Sequence, residues 1–120
     1  PANTRAWSTF GLPKPPTKGG WVPCEFGGWA SHVEQNWYGH PARKATWLYV
    51  HGFKPPELKW GRVPVSRLRA VISYKMPELH PHLPRLEKSR ASRTPARFRS
   101  LLIKMVKDSG LIERNRVIYG

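Results

Sequence analysis

The chain has 120 residues, a single cysteine and a formal net charge of +14, from 21 lysines and arginines against seven aspartates and glutamates. This length allows one small domain, and a lone cysteine excludes an internal disulfide and indicates a reducing compartment, here the cytoplasm. No apolar run is long enough to span a membrane, so the basic balance favours a polyanion, above all nucleic acid, over a membrane as partner.

The first half of the chain predicts one short helix and two strands. Residues 3–10 (NTRAWSTF) predict the helix, with Trp7 and Phe10 on its apolar face. Residues 29–37 (WASHVEQNW) predict a strand, because alternate side chains fall on one face. Residues 45–50 (ATWLYV) are a continuous β-prone run and predict a buried strand.

The second half is less regular until its last helix. Residues 62–76 fit either a strand or a helix that starts at Ser66, and residues 77–93 predict a linker rich in proline and basic residues. Residues 94–108 predict an amphipathic helix, with Thr94 as its N-cap. The helix has one apolar stripe with the spacing of a buried face, which consists of Phe98, Leu101, Leu102, Met105 and Val106.

Together these elements predict an α/β chain in three parts. Residues 1–60 hold all six tryptophans and predict an α/β core segment, since each large aromatic side chain buries roughly 150–250 Å². Residues 61–93 predict a basic, proline-rich connector. Residues 94–120 predict the amphipathic helix, whose free face is cationic, and a tail that adds an extended piece.

Motifs that carry catalytic or metal chemistry are weak in this sequence. No glycine-rich phosphate loop follows a strand, and neither a CxxC pair nor an HExxH motif occurs, so we predict no metal or cofactor site in this chain. His80 and His82 are more simply explained as loop histidines than as metal ligands. The Pro23–Cys24 dipeptide matches the nucleophile signature of cytosine-C5 methyltransferases, but a small apolar cysteine in a glycine-rich loop is the favoured interpretation.

Binding residues are suggested by cations that lie beside aromatic side chains. Arg43 and Lys44 follow a Gly-His-Pro turn and suit phosphate binding, and the neighbouring Trp37 and Tyr38 could stack on unpaired bases. A solvated loop charge and a core aromatic are the alternatives. A second basic cluster predicts a phosphate-backbone contact strip or, equally well, a solvated charge run; it consists of Arg85, Lys88, Arg90, Arg93, Arg97 and Arg99.

Residues 19–52 (GGWVPCEFGGWASHVEQNWYGHPARKATWLYVHG) resemble the later half of bacteriophage DNA cytosine methyltransferase-like proteins. The start, PANTRAWSTFGLPKP, is similar to the segment after that family's Glu-Asn-Pro or Glu-His-Pro motif, and SRTPARFRSLLIKMV resembles its closing helix. The resemblance implies a partial methyltransferase-like sheet with flanking helices and a basic C-terminal helix. It places Gln35 and Arg43 near the family's Gln…Arg motif beside the target base, with Lys44 and Thr46 continuing that motif.

The resemblance also implies which parts lie outside this chain. In that family the S-adenosylmethionine motif, the catalytic Pro-Cys loop and the carboxylate motif all precede the region matched here. Pro23–Cys24 follows the first helix and does not match the nucleophile's position. The chain alone is therefore expected neither to bind S-adenosylmethionine nor to methylate DNA, and an upstream methyltransferase half is an expected partner in the bacterial host cytoplasm.

Three functions stay open on the sequence. The first is the DNA-binding C-terminal portion of a methyltransferase-like protein. The second is a small basic RNA-binding or ribosome-associated protein, which the composition supports equally well. The third is a free-standing binder of single-stranded nucleic acid that uses Trp37, Tyr38 and the arginine-rich strip.

Overall fold

The computed structural model describes residues 4–72, 82–108 and 116–119, which form a mixed α/β fold. Its sheet has four antiparallel strands that lie side by side in chain order. The strands are β1 (Val22–Pro23), β2 (Trp29–Glu34), β3 (Ala45–His51) and β4 (Arg116–Tyr119). The α-helices are α1 (Thr4–Thr9), α2 (Lys88–Ser92) and α3 (Ala96–Asp108), and single 3₁₀ turns span Gln35–Tyr38 and Val65–Arg67. A sheet of this kind with flanking helices agrees with the predicted α/β class, and its methyltransferase-like origin stays a prediction.

The β2–β3 hairpin forms the centre of the sheet. Val33 lies opposite Thr46, and Ser31 lies opposite Leu48 on the same face. The predicted strand over 29–37 is wrong in its last three residues, which belong to the 3₁₀ turn. That turn forms because Gly39 adopts a φ of 106°, a left-handed conformation that glycine takes without steric cost, and the chain reverses there instead of extending.

Strand β3 confirms the predicted strand, but only one of its faces is fully buried. Thr46, Leu48 and Val50 are buried on the face toward α3, whereas Trp47 on the other face is only partly buried. Helix α1 covers this second face through Trp7, whose ring centroid lies 5.5 Å from that of Trp47.

Helix α1 confirms the predicted helix, although its predicted apolar face is only half right. Trp7 is buried, and its indole Nε1 donates a hydrogen bond to the carbonyl of Pro13. Phe10 is 61% exposed, because the helix ends at Thr9 and the chain turns away at Gly11 with a φ of 64°.

Helix α3 supplies the largest fully buried side chain, Phe98, to a core that it shares with the sheet. The helix starts at Ala96, and the carbonyl of Pro95 accepts the N–H groups of Phe98 and Arg99. Pro95 therefore takes the N-cap position, and the prediction that Thr94 caps the helix is wrong by one residue. The main core cluster consists of Val33, Tyr38, Leu48, Phe98 and Leu102.

The region predicted as an ambiguous segment and a linker packs against the Gly39–Pro41 turn. Residues 62–72 form neither a regular strand nor a regular helix beyond the short 3₁₀ turn, because the N–H groups of Arg69 and Ala70 donate to the carbonyl of Pro41. The predicted linker contains helix α2. Residues 73–81, which include His80, lie outside the described residues.

Candidate nucleic-acid interface

The turn at Gly39–Pro41 is the structural centre of the candidate site, and His40 anchors it. The imidazole of His40 is buried; its Nδ1 accepts the N–H of Ala42 at 3.1 Å, and its Nε2 lies 3.0 Å from the carbonyl oxygen of Ala91. A neutral ring with its proton on Nε2 satisfies both bonds. Burial lowers the pKa of His40, chiefly by desolvating the charged form.

Lys44, which follows the turn, contacts helix α2, the helix that contains Ala91. Its Nζ donates to the carbonyl of Ser92 at 2.9 Å, and burial lowers the pKa of this amine. The carbonyls of Ala91 and Ser92 belong to the C-terminal turn of α2, where no partner within the helix is available. His40 and Lys44 satisfy these two carbonyls and thereby fix α2, which carries Arg90 and is followed by Arg93, beside the turn.

Two adjacent hollows flank the turn, and arginines line both. The larger, of about 510 Å³, has Arg67, Arg69 and Arg97 in its wall. The smaller, of about 150 Å³, is bounded by Arg90, Arg93 and two prolines. We call the two hollows together the arginine groove, defined by Arg67, Arg69, Arg90, Arg93 and Arg97.

The electrostatics of the arginine groove are uniformly positive. All five arginines are exposed, and no carboxylate is among the described residues that line either hollow. Within the described ranges none of the five forms an ion pair, since the only pairs there are His32–Glu34 and Lys104–Asp108. Uncompensated guanidinium groups around one concave surface attract an anion with several charges.

Arg67 is the most firmly held arginine of the groove. Its Nε donates to Oδ1 of Asn36 at 3.0 Å, and its guanidinium carbon lies 4.7 Å from the ring centroid of Trp37. Asn36 is buried and in turn donates from Nδ2 to the carbonyl of His40 at 2.6 Å. The indole Nε1 of Trp37 is fixed by the carbonyl of Gly61 at 3.0 Å. Arg67 is thus preorganised by partners that are themselves fixed.

Three of the residues predicted to bind nucleic acid meet in the groove. Arg90, Arg93 and Arg97 all line it. Arg99 is exposed on α3 but does not line either hollow. A separation of two residues along an α-helix corresponds to a rotation of about 200° around its axis. Arg97 and Arg99 therefore project from nearly opposite sides of α3.

Four other predicted residues support the fold around the groove. Gln35 is buried, and its Nε2 donates to Oγ1 of Thr46 at 2.6 Å. Tyr38 is buried against Phe98, and its hydroxyl accepts the N–H of Lys59 at 2.9 Å. The Nε and Nη2 atoms of Arg43 both donate to the carbonyl of Val63, at 3.0 and 2.7 Å. Lys44 holds α2, as described above. Contacts of these four with nucleic acid stay a prediction.

Sequence reasoning missed Arg67, Arg69 and Asn36. The pattern Arg67-Leu68-Arg69 places two cations two residues apart, a signal that could have been noted. Their position beside the turn depends on the backbone bonds to Pro41 described above, which join residues 28 and 29 positions apart in the chain. No local pattern encodes such a contact.

Two other possible chemistries receive no support from the described residues. Cys24 lies in the loop between β1 and β2, and burial raises the pKa of its thiol, which disfavours the reactive thiolate. No three His, Cys, Asp or Glu side chains in the described part of the chain lie close enough together to hold a metal ion. None of the described helices is long and apolar enough to cross a membrane.

No protein-family model, no curated protein and no solved structure matches this chain. The arginine groove is therefore the feature that indicates a function.

Proposed function

We propose that this protein binds nucleic acid through the arginine groove. The observation that carries the proposal is the convergence of five exposed arginines from three separate segments on one turn. Among the described residues these arginines form no ion pair, and no carboxylate lines either hollow. The net charge of +14 acts in the same direction. Arginine suits this task because its planar guanidinium binds phosphate oxygens in pairs.

Salt dependence gives the direct test of the groove. If all five arginines contact phosphates, the slope of log K against log salt concentration is about −3.5 with a single strand and about −4.5 with a duplex. Binding of fluorescently labelled oligonucleotides, followed by anisotropy from low to moderate salt, measures this slope. Failure to bind either form in dilute buffer would contradict the proposal.

A pair of charge-matched variants localises the binding. The variant R93Q/R97Q removes two cations from the groove, and we expect it to reduce the size of the slope by about 1.4 to 1.8. The control R62Q/K107Q removes two exposed cations that do not line the groove, and its slope should stay close to that of the unmodified chain. Equal losses in both variants would show that binding is not confined to the groove.

We further propose that this activity is that of the DNA-contacting C-terminal portion of a methyltransferase-like protein. The support is the resemblance over residues 19–52, and the catalytic and S-adenosylmethionine-binding parts would belong to an upstream half. A methyl-transfer assay on the chain alone and on the chain joined to that half tests the assignment. We expect transfer only when both are present, and a preference for RNA over DNA of the same sequence would favour an RNA-binding protein instead.

A further inference from the structure

The contact between Trp37 and Arg67 brings an aromatic ring next to one guanidinium group of the arginine groove. The guanidinium carbon of Arg67 lies over the indole of Trp37, 4.7 Å from the ring centroid. Asn36 engages only Nε. In the described part of the chain the Nη1 and Nη2 atoms of Arg67 have no hydrogen-bond partner. Because Arg67 is exposed, the side of its plane away from Trp37 is open to a ligand.

An open guanidinium plane of this kind accepts the face of an aromatic ring. Unpaired bases stack on arginine planes and aromatic side chains in proteins that bind single strands, whereas bases in a duplex are covered by their neighbours. A phosphate alone would use only the edge of the guanidinium. The Trp37–Arg67 stack therefore adds nothing to the binding of a duplex backbone but strengthens the binding of an unpaired nucleotide.

The smaller hollow provides a second position for a ring. Its volume of about 150 Å³ matches that of cavities known to hold a benzene-sized ring. Pro41 and Pro95 give it an apolar surface, and Arg90 and Arg93 border it. A base must leave the double helix to enter such a hollow.

From this geometry, and resting on the proposed function, we infer that the arginine groove binds unpaired nucleotides. One base stacks on the open face of Arg67, and the adjoining phosphates contact Arg69 and Arg97 in the larger hollow. Arg67 is then the residue that discriminates an unpaired strand from other polyanions, and the remaining groove arginines supply charge.

The test compares three probes of similar charge: a single-stranded oligonucleotide of mixed sequence, a duplex with the same number of phosphates, and inorganic polyphosphate. The unmodified chain should bind the single strand most tightly. The variant R67K keeps the positive charge but loses the flat stacking surface. We expect R67K to weaken single-strand binding about tenfold and polyphosphate binding by less than about twofold. The control R62K makes the same exchange at an exposed arginine that lines neither hollow, and it should change all three affinities by less than about twofold.

A fluorescent base gives a second readout. A single strand that contains 2-aminopurine should lose fluorescence when it stacks on the unmodified chain and lose clearly less with R67K. Circular dichroism spectra of both variants confirm that they are folded.

The possible results distinguish a failure of this inference from a failure of the proposed nucleic-acid binding. Binding to none of the three probes would contradict nucleic-acid binding itself. Equal binding of strand and polyphosphate, a preference for the duplex, or equal losses for all probes in R67K would leave the groove as a polyanion site and overturn the inference alone.

Discussion

The imidazole of His40 donates a hydrogen bond from Nε2 to the carbonyl oxygen of Ala91 at 3.0 Å, across 51 residues of sequence. Helix α2 has only five residues, and an isolated helix of that length is unstable in water. Its position is therefore set by tertiary contacts and not by its own propensity. His40 and Lys44 bind its last carbonyls, and Ala91 packs in a buried apolar cluster. The wall of the arginine groove that holds Arg90 and Arg93 depends on these contacts.

Replacing His40 should leave helix α2 less firmly positioned and weaken the binding of nucleic acid. The variant H40A leaves the buried carbonyl of Ala91 and the N–H of Ala42 without their partner, and we expect a loss of about 1–3 kcal/mol in the free energy of unfolding. Urea denaturation measures this loss, and anisotropy with a single-stranded oligonucleotide should show weaker binding. The control H82A changes an exposed histidine and should leave both quantities nearly unchanged; a similar loss in both variants would contradict the role of His40.

The stability of the protein should fall on mild acidification. Burial holds the pKa of His40 below the value of about 6.5 that an unfolded chain has, so between these two values the unfolded state binds the extra proton. The contribution of His40 is complete above pH 6.5 and is lost as the pH falls from there through the pKa of the folded state. Melting temperatures between pH 7.5 and 5.0 should show this decline. The decline should be shallower in H40Q, and an identical pH profile in that variant would assign the effect to other groups.

Phe98 should dominate the stability of the core. Its side chain is completely buried between α3 and the sheet, and truncation of such a side chain costs about 3–5 kcal/mol in the free energy of unfolding. We expect F98A to show this loss in urea denaturation. The matched variant I103A changes an exposed position on the same helix and should stay within about 0.5 kcal/mol of the unmodified chain. Comparable losses would mean that α3 does not pack as described.

Arg43 should stabilise the folded protein through its hydrogen bonds to the carbonyl of Val63. Two of its nitrogens donate to one buried backbone carbonyl, so R43A leaves that carbonyl unpaired, and we expect a cost of about 1–3 kcal/mol in the free energy of unfolding. Thermal and urea denaturation test this effect. An unchanged stability would contradict it, and a salt slope reduced by about one phosphate contact would in addition place Arg43 at the interface, as the sequence predicts.

The elements that the sequence predicted well are those whose signals are local. Strand β3 follows from a run of β-branched and aromatic residues, and α3 follows from an apolar stripe with helical spacing. The end of β2 at Glu34 was missed because the following 3₁₀ turn depends on the left-handed conformation of Gly39, which the alternating pattern of residues 29–37 does not reveal.

The candidate site could be predicted only where its residues are also neighbours in sequence. Arg90, Arg93 and Arg97 form a visible basic cluster, but the same cluster includes Arg99, which lies outside the groove. Arg67 joins the site through Asn36 and Trp37, about 30 positions earlier in the chain. Composition alone indicates the charge of a binding surface, whereas long-range contacts determine which cations share it.

The pairing of β3 with β4 joins Leu48 to Tyr119, and all five groove arginines belong to the intervening stretch. During synthesis on the ribosome this sheet edge cannot form until residues 116–119 have emerged. A polyanion that gathers the arginines around the turn shortens the effective loop that β4 has to close. Occupancy of the groove and closure of the sheet should therefore reinforce each other, and bound oligonucleotide should slow amide hydrogen exchange along β4, on the far side of the sheet from β1.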